Sequence, residues 1–303
     1  MKWLQRRSSD RRGNDGPRRF SERPVLIHAL DGFLGAGAAP RITAAELSSG
    51  EGEVLYSFDA DSYYDYRARR PLITFRGDHY EDYDEPALDV VLEHDLDDRP
   101  YLLLAGPEPD FQWERFISEL HDVVEEFDVS LTLGLGSVPM GVPHTRPLMI
   151  TSHGTRPQLV DRKNLWSAQV TIPSSAQALL EYRLGQLGHD AAGYVVHVPH
   201  YLSQIDYPTA ALALLDAVAD RTDLRLDLEE LRLRQGTAMA EIEQQIADQD
   251  GGELLNGLEQ QYDAFTRGAA ESLLASDEEL PSGDELAKQF EQFLARTRKN
   301  DDT

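Results

Sequence analysis

The 303-residue sequence predicts an α/β fold built on a mostly parallel sheet, and three observations carry that expectation. Continuous apolar runs recur at residues 25–30, 101–105 and 131–135, the pattern of strands covered on both faces. Trp113, Phe116, Ile117, Leu120, Val123, Val124 and Phe127 fall on one helical stripe. Strand, helix and second strand follow one another from residue 25 to residue 58, a βαβ unit.

Residues 1–23 form a basic arm. Lys2, Arg6, Arg7, Arg11, Arg12, Arg18, Arg19 and Arg23 outnumber Asp10, Asp15 and Glu22, with few apolar residues between them, so the arm is expected to be disordered. Folding starts at Pro24. Asp31 ends the first strand and is followed by Gly32, Gly35 and Gly37. Their spacing fits neither the dinucleotide fingerprint nor a Walker A loop, and Asp31 would repel a phosphate.

The stretch 59–71 holds three Tyr, three Arg and three Asp. Guanidinium forks bind carboxylate or phosphate, and tyrosine rings give rigid contact area, so an interface is the favoured reading for this stretch. Residues 72–75 and 88–92 are expected to be antiparallel strands around the acidic connection 78–85, which lacks EF-hand spacing and reads as a solvated charge run. The strand at 101–105 leads to Glu108, held between Pro107 and Pro109, and Asp110 is expected to cap the helix that follows.

The strand at 131–135 is expected to break into a loop rich in Gly and Pro that ends on His144, Thr145 and Arg146. After a short strand at 148–151 come His153 and Arg156, a second His/Arg pair. Ser174 or Ser175 is expected to cap a helix ending near Gly188. A last strand at 193–198 and a helix opened by Asp206 and Pro208 follow. From residue 227 the pattern becomes two helical stripes around Asp250 to Gly252, a helical hairpin. The domain plan is therefore an arm (1–23), an α/β/α unit (24–222), a hairpin packed on it (223–270) and a charged tail (271–303).

Acidic residues number 54 against 29 basic ones, a net charge of −25. Such a charge disfavours nucleic acid and anionic membrane as general partners, the basic arm being the one exception. Cysteine is absent, which removes disulfides, thiol nucleophiles and thiolate metal sites. No apolar run reaches the roughly 20 residues of a spanning helix, and the basic N-terminus lacks the apolar core of a secretory signal. The default expectation is a cytoplasmic protein without cofactor or metal.

If the strands are mostly parallel, their carboxyl ends bring Asp31, Glu108, the 137–146 loop, His200 and Tyr201 to one edge, where crevices form. Asp31, Glu108 and His144 are the catalytic candidates, the carboxylates as bases; Arg67, Arg70, Arg146, His153 and Arg156 are the binding candidates. No GxSxG or HExxH motif is present, so whether the chain is an enzyme is left open.

HALDGFLGAG (28–37), DYRARRP (65–71), LLLAGPEPDFQW (102–113) and GSVPMGVPHTRP (136–147), with the late hairpin, resemble the actinobacterial branch of the proteasome assembly chaperone 2 (PAC2) family. The resemblance covers roughly residues 24–268. It implies a three-layer α/β/α sandwich similar to the phosphorylase/hydrolase-like fold, oligomers, and relatives that help to assemble proteasome rings. Archaeal relatives that dock on the proteasome end in a hydrophobic-Tyr-any-residue tail, whereas this sequence ends in Lys299 to Thr303. The family carries no agreed catalytic residues. The expectation is a non-catalytic, self-associating, protein-binding or assembly-chaperone-like protein. The alternative is a hydrolase, or a binder of nucleoside-like or anionic ligands, with its site at the strand ends.

Overall fold

The computed structural model of the chain describes residues 20, 22–160, 164, 169–248 and 252–271. Most of the basic arm, the middle of the expected hairpin turn, and the tail beyond residue 271 lie outside the described residues.

Seven strands form the main sheet: β1 (Val25–Asp31), β2 (Glu53–Ser57), β5 (Asp89–His94), β6 (Pro100–Pro107), β7 (Leu131–Met140), β8 (Ile150–Gly154) and β9 (Ala191–Pro199). Their order is β2-β5-β6-β1-β7-β9-β8. The four central strands β6, β1, β7 and β9 are parallel, while β5 and β8 run against their neighbours. β2 is antiparallel to β5 and therefore runs with the central four. Strands β3 (Thr74–Arg76) and β4 (His79–Glu81) pair only with each other, as a separate hairpin.

Helices α1 (Ala39–Leu47), α5 (Pro208–Thr222) and α6 (Glu229–Asp248) cover one face. There Ile27, Leu133, Leu135, Tyr194 and Val196 share a core with Leu214, Leu215, Leu231 and Ile242. Helices α3 (Trp113–Glu126) and α4 (Ala176–Leu187), with the single turn α2 (Ala60–Tyr63), cover the other face. Phe116, Leu120, Val124, Leu180 and Leu184 meet Leu26, Leu102 and Leu104 there. The last helix among the described residues is α7 (Gly252–Glu271). Among the described residues no helix is long and apolar enough to cross a membrane.

Several local expectations change. The chain from β1 passes through α1 over two strands and joins the sheet at its edge, so the expected βαβ unit is not a pair of neighbours. Residues 72–75 do not pair with 88–92; β5 instead pairs with β6. The connection from His94 to Pro100 is short, which permits only antiparallel pairing, and Asp95 Oδ1 ties it by accepting from Asp97 N and Arg99 N, both at 2.9 Å. Asp110 does not cap α3. Its carboxylate accepts from Asp65 N at 2.7 Å, and left-handed Gln112 opens the helix instead. Ser175 does cap α4, accepting from Ala178 N at 3.0 Å.

β7 continues through Gly134, Gly136 and Pro139, five residues past its expected end at Leu135, paired with β9 to Met140. Ser137 N points toward the β1 side, where it donates to Leu34 O at 2.9 Å. Pro139 has the same orientation but lies beyond the stretch of β7 that pairs with β1, so its missing N–H costs no ladder bond. At the far edge, Asn164 donates to Ser152 O at 2.6 Å and accepts from Ser152 N at 2.8 Å.

One row across the α4 face is unusual for a sheet interior. His28 lies beside Gly134, Gly134 beside Gly193, and Gly193 beside His153. A Cβ on Gly134 would stand 2.6 Å from His28 Cε1, and one on Gly193 would stand 2.3 Å from His153 Cε1. The two imidazoles occupy space that only glycine leaves open. His28 is fully enclosed, and burial first, then the nearby His153, pushes its pKa down to about 3. Its Nδ1 and both polar atoms of the Gln177 amide have no hydrogen-bond partner among the described residues.

Candidate functional site

The carboxyl ends of β2, β6, β1, β7 and β9 share one rim, so Asp31 and Glu108 are brought together. Asp31 pairs with Pro107 in the ladder, and Glu108 N donates to Asp31 O at 2.9 Å. The Glu108 carboxylate is engaged on both oxygens. Oε2 accepts from Phe33 N at 3.1 Å, and Oε1 accepts from Ala176 N, at the start of α4, at 2.6 Å. A helix N-terminus favours an anion there. Gly32 is required beside it, because a Cβ would meet Glu108 Oε2 at 2.3 Å. Glu108 thus ties the loop after β1 to α4 and acts as a strut.

His144 and Arg146 follow β7 but face the helical hairpin, with partners different from those of Asp31 and Glu108. His144 is buried. Its backbone N–H donates to the Tyr201 hydroxyl at 2.9 Å, and its Nδ1 lies 2.8 Å from the same oxygen. Burial lowers its pKa, opposed by the carboxylates of Glu243 and Glu259. Its Nε2 has no hydrogen-bond partner among the described residues. His144 and Thr145 form one wall of a cleft of about 920 Å³ whose other wall, from α6 and α7, carries Glu243, Glu253 and Asn256. Two carboxylates make that cleft hospitable to a cation and hostile to an anion.

The next residues clasp α7. Arg146 donates from Nε and Nη2 to the two oxygens of Asp263, both at 2.9 Å, and its Nη1 lies 3.3 Å from Glu259. The Thr145 hydroxyl also bonds Glu259, and the Tyr262 hydroxyl donates to Pro147 O at 2.7 Å. This planar two-point geometry is what arginine provides and lysine does not. Arg146→Ala should therefore loosen α7 without unfolding the sheet. The expected readout is faster amide exchange across 252–271 with unchanged exchange in β1 and β7; equal exchange in both proteins would refute the clasp.

The second His/Arg pair is held elsewhere. His153 Nδ1 lies 2.7 Å from Glu181 Oε2 on α4. Arg156 pairs with Asp190, just before β9 at the amino edge of the parallel strands. The two pairs therefore do not bracket one ligand. Arg67 and Arg70 are exposed and make no ion pair among the described residues. Arg69 between them bridges Asp110, donates to Glu108 O at 2.8 Å and lies over the Tyr64 ring. Nothing in the sequence singles out Glu181, Glu259 or Asp263, since helix-borne carboxylates resemble any solvated face. Exposed Leu72, Phe75 and Tyr80 were also missed, although aromatic residues interleaved with charge were visible there.

The PAC2 family profile matches residues 29–249. A Mycobacterium tuberculosis protein of unknown function is 44% identical, with a TM-score of 0.78 over 84% of this chain and 91% of its own. A second M. tuberculosis protein, described as a proteasome-assembly chaperone homologue, is 27% identical over 74% of this chain and 95% of its own, with a TM-score of 0.68. Pyrococcus furiosus PbaB, described as an archaeal proteasome activator, is 16% identical over 77% of this chain and 97% of its own. Its TM-score of 0.56 speaks to the fold alone. None of the curated proteins matches the sequence significantly. Profile, sequence identity and the shared mixed sheet agree: this chain belongs to the PAC2 family.

Proposed function

We propose that the chain is a non-catalytic, self-associating protein that binds other proteins in the manner of an assembly chaperone. The observation that carries this reading is the β3–β4 hairpin. It exposes Phe75 (59%) and Tyr80 (69%), with Leu72 (74%) just ahead of it, and the Phe75 and Tyr80 rings meet at a tilt of 58° with centroids 5.1 Å apart. A small hairpin that spends its aromatic residues on solvent is better suited to a partner than to its own core. Arg67 and Arg70, exposed in the loop leading to it, add guanidinium groups that make no ion pair among the described residues. Phe33, whose N–H bonds Glu108, and Phe111 add further exposed rings.

The rim chemistry supports the same reading. Glu108 is committed to two backbone N–H groups and Arg146 to α7, so neither is poised for substrate. The name of the M. tuberculosis proteasome-assembly chaperone homologue makes a proteasome-type ring the first partner to try.

The expected result is a molar mass by light scattering that is a multiple of 34.0 kDa at micromolar concentration. Phe75→Asp with Tyr80→Asp should reduce it to one chain while leaving the circular dichroism spectrum unchanged. A wild-type monomer would refute self-association, and an oligomer indifferent to both substitutions would remove the hairpin from the interface.

A further inference from the structure

We propose a transition-metal site, of the kind that takes Zn²⁺, formed by His121, Glu125 and His189 at the amino edge of the parallel strands. It lies on the opposite edge of the sheet from the rim and is independent of the protein-binding reading. His121 and Glu125 are four residues apart on α3 and so share one face of that helix. His189 follows α4. One ligand atom from each residue lies within 4.8 Å of the others. His189 Nε2 is 2.8 Å from Glu125 Oε1, and the two imidazole rings meet edge to face with centroids 4.9 Å apart.

Three features make this more than a surface ion pair. First, all three ligands sit on rigid supports. Leu120, Val124, Leu180 and Leu184 bury the facing sides of α3 and α4 in one core. The end of α4 is closed by left-handed Gly188, with Gly188 N donating to Gly185 O and His189 N donating to Leu184 O at 2.9 Å. The Thr155 hydroxyl holds His189 O from the other side at 3.2 Å. Second, α3 and α4 both end at this edge, so two negative helix poles converge on the cluster and favour a cation. Third, the donor set is two imidazoles and one carboxylate, which suits zinc and its neighbours and leaves one position of a tetrahedron open. Tetrahedral ligands of zinc stand about 3.3 Å apart, so the cluster needs only small side-chain adjustments to close on an ion.

Tag-free full-length protein stripped with EDTA, titrated with ZnCl₂ against a chromophoric chelator, should bind one equivalent per chain. His121→Ala and His189→Ala should each weaken that binding at least about tenfold, and Glu125→Gln should weaken it too. His79→Ala serves as a control, because His79 is an exposed histidine beside Asp78 and Glu81 on the separate β3–β4 hairpin. It should leave the affinity unchanged. Absence of stoichiometric binding, affinity equal in all variants, or a loss confined to His79→Ala would each overturn the site. Circular dichroism confirms folding, and His121→Ala alone decides the matter should His189→Ala fail to fold.

Discussion

Gly134→Ala should cost about 3 kcal/mol of stability, the upper part of the range for overpacking a core, and should become nearly harmless once His28 has been cut to alanine. The added methyl would stand 2.6 Å from His28 Cε1, 2.9 Å from its Nε2 and 3.0 Å from Gln177 Nε2. Those contacts are closer than packed carbon and nitrogen atoms tolerate, and His28 is enclosed on every side, so it cannot swing out to water. Removing the imidazole empties the same volume that the methyl seeks. The two substitutions should therefore be strongly non-additive, as contacting residues in a shared cavity are. Urea denaturation of wild type, both single variants and the double variant measures the coupling. Purely additive losses would mean that the ring and the glycine do not share that space.

Acidification should weaken the fold well before any carboxylate protonates. Burial pushes the pKa of His28 down to about 3 and that of His197 down to about 4, from an ordinary 6.5. Both rings are neutral in the folded protein and become cationic on unfolding below pH 6.5. Their contribution is thus fully present above that value and is lost as pH falls toward the lowered pKa values. Each ring removes about 1.4 kcal/mol per pH unit in that window, so the pair takes about 2 to 3 kcal/mol by pH 5.5. His144, also lowered by burial, acts in the same direction. Asp263, held low chiefly by its bond to Arg146, loses its share only below 3.8. Among the described residues the charge that acts on His28 is that of His153 on β8, itself paired with Glu181, and the uncharged Gln177 of α4 meets His28 over Gly134. Urea midpoints at pH 7.5, 6.5 and 5.5 stay above the isoelectric point near 4.6 and should fall across the last step. His28→Gln should roughly halve the slope. A flat profile would contradict the burial of neutral rings.

The fold class was legible because buried parallel strands write themselves as unbroken apolar runs, and β1, β6 and the first half of β7 are such runs. The second half of β7 was not, because Gly134, Gly136 and Pro139 are read locally as breakers. Only the register with β9 and the absence of β1 beside Pro139 make them acceptable in a strand. Gly134 makes room for His28 and Gly136 for Leu34, both distant in sequence. The shared rim of Asp31 and Glu108 followed from strand direction alone. The partners of Glu108 and Arg146 did not, since Phe33 N, Ala176 N and Asp263 reach them through tertiary packing that no spacing records.

Asn164 presents its amide to Ser152 much as another strand would, occupying both the donor and the acceptor at the middle of the outermost strand β8. The border of the sheet is thereby closed where a second copy would otherwise add its own strand. In any assembly this chain enters, continuous extension of the sheet through the middle of β8 is blocked, which leaves β2 as the edge still open to another strand.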